Sequence, residues 1–348
     1  MIDTSVPTSS ETVRSASVAM TDDPFRRAVM DAAADPVASG VGELLTELAA
    51  LADAASTRTS ANEVLQARLH WLYYGDHEPS HPFRQWLATA GHPYFERAAS
   101  IPTGRTTGAS HASFVDRLAA EQEALSPLRH PLFQRCFRED GDFEDLKVYL
   151  RHKWIIMLTF WRSLSEFGMR LQRHDVANLA NTALVYENVF EELGTGDPAE
   201  AHMVSHFKLL QAIGVDVGWD DEPEFTETRE YINFRMFCMR HPNPAWGLGS
   251  FYSQEATSLE YTLGHYDQLR RFGVSHDTAE IYHAHDAIDA EHTDEILTII
   301  DDLINDDRSR STVLLAQQHQ MHLWNAHFDR VLDRIEQRDG LTNPAGGR

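Results

Sequence analysis

The sequence predicts an all-α fold, because apolar residues recur every three or four positions over long stretches and no stretch shows two-residue alternation closed by turn residues. The longest periodic stretches follow one another with short breaks between them. Residues 1–38 are rich in Ser, Thr, Ala and Asp without a sustained period, and they are expected to form a mobile leader outside the fold. A helical N-terminal part is expected over 39–125, from "VGELLTELAALADAAS" to "FVDRLAAEQEAL", interrupted by the loop "SIPTGRTTGAS" at 100–110. The main domain is expected over 126–340, with helices near 142–172, 175–193, 198–214, 224–240, 247–272, 276–304 and 309–337. In "GDPAEAH", Asp197 fits an N-cap, Pro198 the first helical position and Glu200 the capping-box position, which predicts a helix start at 198 and puts His202 in its first turns. The preceding "GTG" lets this helix turn back beside the one ending in "FEEL". No internal repeat is present.

Composition narrows the function. The 348 residues, 42% hydrophobic, suffice for one large domain or for one domain with an accessory part. Fifty-three acidic against 30 basic residues give a net charge of −23, which argues against nucleic acid or an anionic membrane as partner and favours a cationic or neutral small substrate. Cys136 and Cys238 are too few and too far apart for a disulfide framework, a zinc ribbon or an iron–sulfur site, so a reduced, cytoplasmic location is expected. The N-terminus lacks the basic start and apolar core of a secretory signal, and the longest apolar run, "WIIMLTFW" at 154–161, is far short of a bilayer span.

The stretch "HDAIDAEH" at 285–292 carries the chemistry. On a helix His285, Asp289 and His292 fall within about 40° of one another. They share the stripe Ile281, His285, Ile288, His292, Ile296, Ile299, Leu303, in which two core positions have been given to histidine. The plain alternative is a pair of core histidines satisfied by ordinary hydrogen bonds. Three polar groups on one buried stripe weaken it, and an Asp–x–x–His step resembles half of the carboxylate-and-imidazole set with which helical bundles hold two irons. Such a site needs further carboxylates from facing helices. Glu255 lies on a long apolar helix, Glu166 is embedded among Phe160, Trp161, Leu164, Phe167 and Leu171, Glu191 and Glu192 end a helix, and His202 opens the next. An ionised Glu166 among those neighbours is costly without a cation. Solvated readings of Glu166, Glu192 and His202 stand beside these. "EIYH" supplies a literal Glu–x–x–His at Glu280 and His283, but His283 points about 200° away from His285 and reads as surface. Phe251, Tyr252 and Tyr282 lie near the proposed ligands as pocket lining or as plain core.

Taken together, Glu166, Glu192, His202, Glu255, His285, Asp289 and His292, with "ENVFEELGTGDPAEAH", resemble the haem-oxygenase-like diiron oxidases and oxygenases over roughly 126–340. The resemblance implies a seven-helix bundle carrying an N-terminal helical extension, two Fe ions without haem, and dioxygen and an external electron donor as co-reactants. It implies metal ligands at those seven positions and no other catalytic residue. Members that oxygenate amine nitrogen carry one extra carboxylate, a part that Glu192 or Glu166 would fill, and "EE" at 191 and 192 leaves the register open by one residue. The implied activity is N-oxygenation of a small amine, guanidine or amino-heterocycle such as 2-aminoimidazole in natural-product biosynthesis. C–C cleavage or desaturation of a fatty or amino acid, and a non-enzymatic iron-binding helical protein, are the alternatives. A homodimer is compatible with the sequence.

Overall fold

The computed structural model describes residues 25, 27, 29, 41–55, 59–74, 91–99, 111–172 and 178–342, all helical or in turns, with no strand among them. The chain divides into two compact units, Met1–Tyr94 and Phe95–Arg348. In the first, α1 (Val41–Ala55) packs on α2 (Thr59–Tyr74). Arg68 pairs with Glu47 at 2.7 Å and lays its guanidinium over the ring of Phe25. That ring also meets Trp71 edge-on at 6.1 Å, and Phe25 and Val29 are both buried. Packing therefore begins inside the stretch read as leader. Residues 25 and 29 make a single helical turn, too short to register as a period.

The second unit holds the end of α3 (His92–Ala98), then α4 (His111–Leu125), a 3-10 turn (Pro127–Arg129), α5 (Pro131–Phe137), α6 (Phe143–Gln172), α7 (Leu179–Glu192), α8 (His202–Ala212), α9 (Thr226–Arg240), α10 (Pro244–Arg271), α11 (His276–Leu303) and α12 (Asp307–Thr342). Helices α6 to α12 occupy the seven spans expected from periodicity. Side-chain caps set several of their starts. Asn243 accepts from the Ala245 amide with Pro244 at the first helical position, Ser275 accepts from the Thr278 amide, and Asp306 accepts from the Arg308 and Ser309 amides. Among the described residues no helix is long and apolar enough to cross a membrane, and both cysteines are buried free thiols.

One helix start is corrected. Gly194, Thr195 and Gly196 all take left-handed φ (85°, 51° and 98°), and Asp197 Oδ1 accepts from the Ala199 amide, so the apparent capping pattern closes a turn instead of starting a helix. Helix α8 begins only at His202, behind Ala201, which provides no side-chain cap. A side chain at Gly194 would bring a Cβ within 2.3 Å of the Asp197 carbonyl oxygen, so only glycine allows the turn to close this tightly.

Helix α10 is the axis of the unit, packed against α9, α11, α12 and α4. A ladder of amides crosses the interface: Gln122 donates to the Ser253 carbonyl (3.0 Å) and to Thr257 (2.6 Å), while Gln317 donates to the Leu118 carbonyl and to Gln122. Asn325 donates to the Leu125 carbonyl. These bonds tie α4 into the second unit, so the unit boundary falls at 94/95 and the expected division at 125/126 lies inside that unit. Where α10 crosses α12, a Cβ on Gly249 would lie 2.2 Å from the Val313 carbonyl oxygen and 2.8 Å from the Ala316 Cβ. Gly249→Ala forces the two backbones apart. We expect a loss of about 2 kcal/mol or more, read as a fall of roughly 4–8 °C in the thermal midpoint. An unchanged midpoint would mean that α12 slides without cost.

Candidate metal centre

Helices α7, α8, α10 and α11 bring histidines and carboxylates together out of water. Glu255, on the face of α10 toward α11, is 4% exposed, and His292 on α11 is 3% exposed. His292 Nδ1 lies 3.4 Å from Glu255, and its Nε2 lies 2.6 Å from Glu191. His202 Nδ1 lies 3.0 Å from Glu192. Consecutive helical residues point about 100° apart, so Glu191 and Glu192 at the end of α7 reach different histidines. The turn at 194–200 makes this possible, because it returns the chain so that His202 faces the last residue of α7.

The electrostatics follow from burial and pairing. Burial opposes charge on both imidazoles, but Glu255 and Glu191 overcome it at His292, raising its pKa to about 10, and Glu192 overcomes it at His202, whose pKa is also raised. Burial raises the Glu255 carboxyl although His292 pulls it down. Glu295, one turn beyond His292, is pushed up to about 7 by burial, with His292 opposing and the carboxylates of Glu187, Glu291 and Glu191 adding to the rise.

Four of the seven positions singled out in the sequence, Glu192, His202, Glu255 and His292, are thus gathered in one place. The side chains of His285 and Asp289 lie outside the described residues, on a stretch whose backbone is helical. Glu166 has a different partner. It is half-buried and pairs with Arg240 in the last turn of α9, so the cation its apolar surroundings require is a guanidinium here. Glu191 takes part alongside Glu192. Glu280 and His283 are exposed, with His283 stacked on Tyr266 at 4.9 Å, as expected of surface residues. Phe251 and Tyr252 belong to the hydrophobic core.

Among the described residues no three His, Cys, Asp or Glu side chains surround a common ion position. The donors instead pair imidazole to carboxylate, so protons link groups that an ion would link. Their types nevertheless fit iron: buried carboxylate oxygens supply hard, charge-neutralising donors and imidazoles complete coordination.

A cavity partly open to solvent adjoins Glu192 and Glu255. Its walls include Lys153, Ile156, Met157 and Phe160, one face of α6, together with Tyr282, His206 and Arg235. The Tyr282 hydroxyl stands 3.2 Å from His206 Nδ1, and burial holds its pKa well above the ordinary phenol value. Lys153, His206 and Arg235 escaped the sequence reading. Two signals pointed to them: His206 repeats the face of His202 four residues on, and Arg235 is the single charge in "YINFRMFCM".

An all-helical unit with buried carboxylate–imidazole pairs beside a cavity is the kind of scaffold on which helical bundles hold metal ions. The chain belongs to the family of iron-containing redox enzymes, whose model matches residues 147–325, from α6 to α12. The fold is haem-oxygenase-like. A domain of unknown function with a heme oxygenase-like fold from Shewanella denitrificans OS217 is similar in structure, with a TM-score of 0.54 at 14% identity, covering 69% of this chain and 98% of that one. No curated protein matches the chain.

The paired histidines predict a pH dependence. With His292 raised from an unfolded value of about 6.5 to about 10, its proton stabilises the metal-free fold fully below about pH 6.5, and that contribution disappears as pH rises through 10. The thermal midpoint of metal-free protein should fall between about pH 7 and pH 10, and His292→Gln should flatten the slope. Ferrous iron should bind with proton release and reduce the same slope. Equal slopes in wild type and His292→Gln would show that His292 holds no proton in that window.

Proposed function

We propose that this protein is a dioxygen-dependent, non-haem diiron oxygenase that transfers one oxygen atom to the nitrogen of a small amine. The observation that carries the reading is the set of carboxylates: among the described side chains Glu191, Glu192 and Glu255 stand with His202 and His292, and Asp289 and His285 lie on the same helix as His292. Glu192, His202, Glu255, His285, Asp289 and His292 would hold the irons, with Glu191 as a further donor. Glu166 joins them only by exchanging Arg240 for a metal ion. Bound ferrous iron supplies the activation of dioxygen for two-electron oxidation.

The reaction balances as an amine plus dioxygen, two electrons from an external donor and two protons, giving a hydroxylamine and water. An N–O bond forms, the O–O bond breaks, and the second oxygen leaves as water. The chain contributes shelter and proton handling. Ile156, Met157 and Phe160 line an apolar wall that excludes water, and Tyr282, protonated at neutral pH, presents a hydroxyl already hydrogen-bonded to His206.

The test is anaerobic loading with ferrous iron, followed by labelled dioxygen and a panel of amines, amidines, guanidines and amino-heterocycles, with product masses as the readout. Label on nitrogen is expected. His292→Ala should lose turnover by about 100-fold or more while helical content is kept. Glu192→Gln should suppress N-oxygenation more than it suppresses iron binding. Release of carbon dioxide, formaldehyde or an alkene without label on nitrogen across the panel would replace this reading with C–C cleavage or desaturation. Full turnover by His292→Ala would remove the ligand assignment.

A further inference from the structure

Arg235 is a fully buried cation, 0% exposed, on the wall of the cavity that adjoins Glu192 and Glu255. Its partners are all neutral. One terminal nitrogen donates to Gln254 Oε1 (3.0 Å), and the other to the Ile156 carbonyl (3.1 Å) and to Thr159 (2.5 Å). The rings of Phe160 and Tyr231 lie 5.4 and 5.7 Å from the guanidinium carbon. No carboxylate among the described residues pairs with it, and its buried Nε has no hydrogen-bond partner. Gln254 is itself held oxygen-first toward Arg235, because its amide nitrogen donates to the Ser250 carbonyl at 2.9 Å. A guanidinium fixed in place, dry and unmatched by an anion is costly for a protein that needs only a cross-link between α6, α9 and α10, where a neutral amide would serve. Lys153, also buried, lines the same cavity and sets its ammonium 4.5 Å from the Tyr282 ring.

We propose that this cavity takes an amine that also bears a carboxylate, the carboxylate seating on Arg235 and the amine turned toward Glu192 and Glu255. The buried Nε–H, which has no partner among the described residues, can take a carboxylate oxygen in a charge-assisted bond. Gln254, which accepts from Arg235 of α9, is adjacent on α10 to Glu255, so a cation and an anion are held near neighbouring positions of α10 and can orient a zwitterion. The amine's reacting end rests on the N-oxygenase reading; the anion seat rests on the metal-free geometry alone.

The experiment uses metal-free full-length protein and three probes of one length: 5-aminopentanoate, pentanoate and pentylamine, followed by calorimetry and thermal shift. The two carboxylates should bind at least about tenfold more tightly than pentylamine. Gln254→Glu places a carboxylate against the guanidinium without changing side-chain volume, and should cut carboxylate binding by about tenfold or more while leaving the circular dichroism unchanged. Arg235→Gln should do the same, and if it does not fold, Gln254→Glu carries the test. Pentylamine binding as tightly as 5-aminopentanoate, undiminished carboxylate binding by Gln254→Glu, or no carboxylate binding up to about 10 mM would each overturn the seat. Carboxylate binding with no label on nitrogen in the iron-loaded protein would keep the seat and remove the N-oxygenase reading. Efficient N-oxygenation of amines lacking a carboxylate would do the reverse.

Discussion

The burial of charge along α10 is the constraint on which the rest of the second unit depends. Glu255 is nearly inaccessible to water, and a lone carboxylate there would be driven to take a proton. The fold keeps it by bringing His292 from α11 to one side, and it keeps His292 by bringing Glu191 from α7 to the other ring nitrogen. Removing any member leaves another desolvated and unmatched, which costs more than the pair itself contributes. Helices α7, α10 and α11 are therefore held in register by complementary charge as well as by the apolar packing of Phe251, Ile296 and Ile299 around them.

Backbone geometry makes that complementarity reachable. A helix that ended at Glu192 and continued through an ordinary loop would carry His202 away from it. Three successive left-handed residues reverse the chain within a few positions, and the Asp197 side chain stabilises the reversal by accepting from the Ala199 amide. The cost of the left-handed Thr195 is offset by the pairing of Glu192 with His202 that the turn permits. At the opposite face of α10, Gly249 lets α12 approach to backbone contact, which shortens the reach across which Ser250 bonds Gln320.

Helix existence was legible in the sequence because apolar periodicity persists over many turns in α6, α10, α11 and α12, and starts were legible where a cap had one use, as at Asn243 and Ser275. The start at 198 was misread because Asp–Pro–x–Glu satisfies a capped helix and an Asx turn equally well, and only the flanking glycines separate the two. Buried polar groups on apolar stripes marked His292 and Glu255, since periodicity shows the face. It does not show the partner. Glu166 sits on an equally apolar stretch, yet its counter-ion, Arg240, lies far along the chain and no spacing rule connects them. Arg235 was obscured for the opposite reason: a lone arginine in an apolar helix reads as a snorkelling surface residue until the helix is seen to be covered on all sides.

Net charge illustrates the same gap between a total and a place. The chain's −23 describes a surface whose field is screened within about 8 Å at physiological ionic strength. Such a surface attracts cations toward the molecule and says little about what is held inside. Within the cavity nearby charges act with less screening than at the surface, and the balance is local: Arg235, Lys153, Glu192 and Glu255 all line it. Opposite charges lining one cavity would favour one direction for a molecule carrying both signs, because reversing it would set ammonium against guanidinium and carboxylate against carboxylate. Any such orientation would be set by the buried side chains that line the cavity, whatever the acidic surface contributes to encounter.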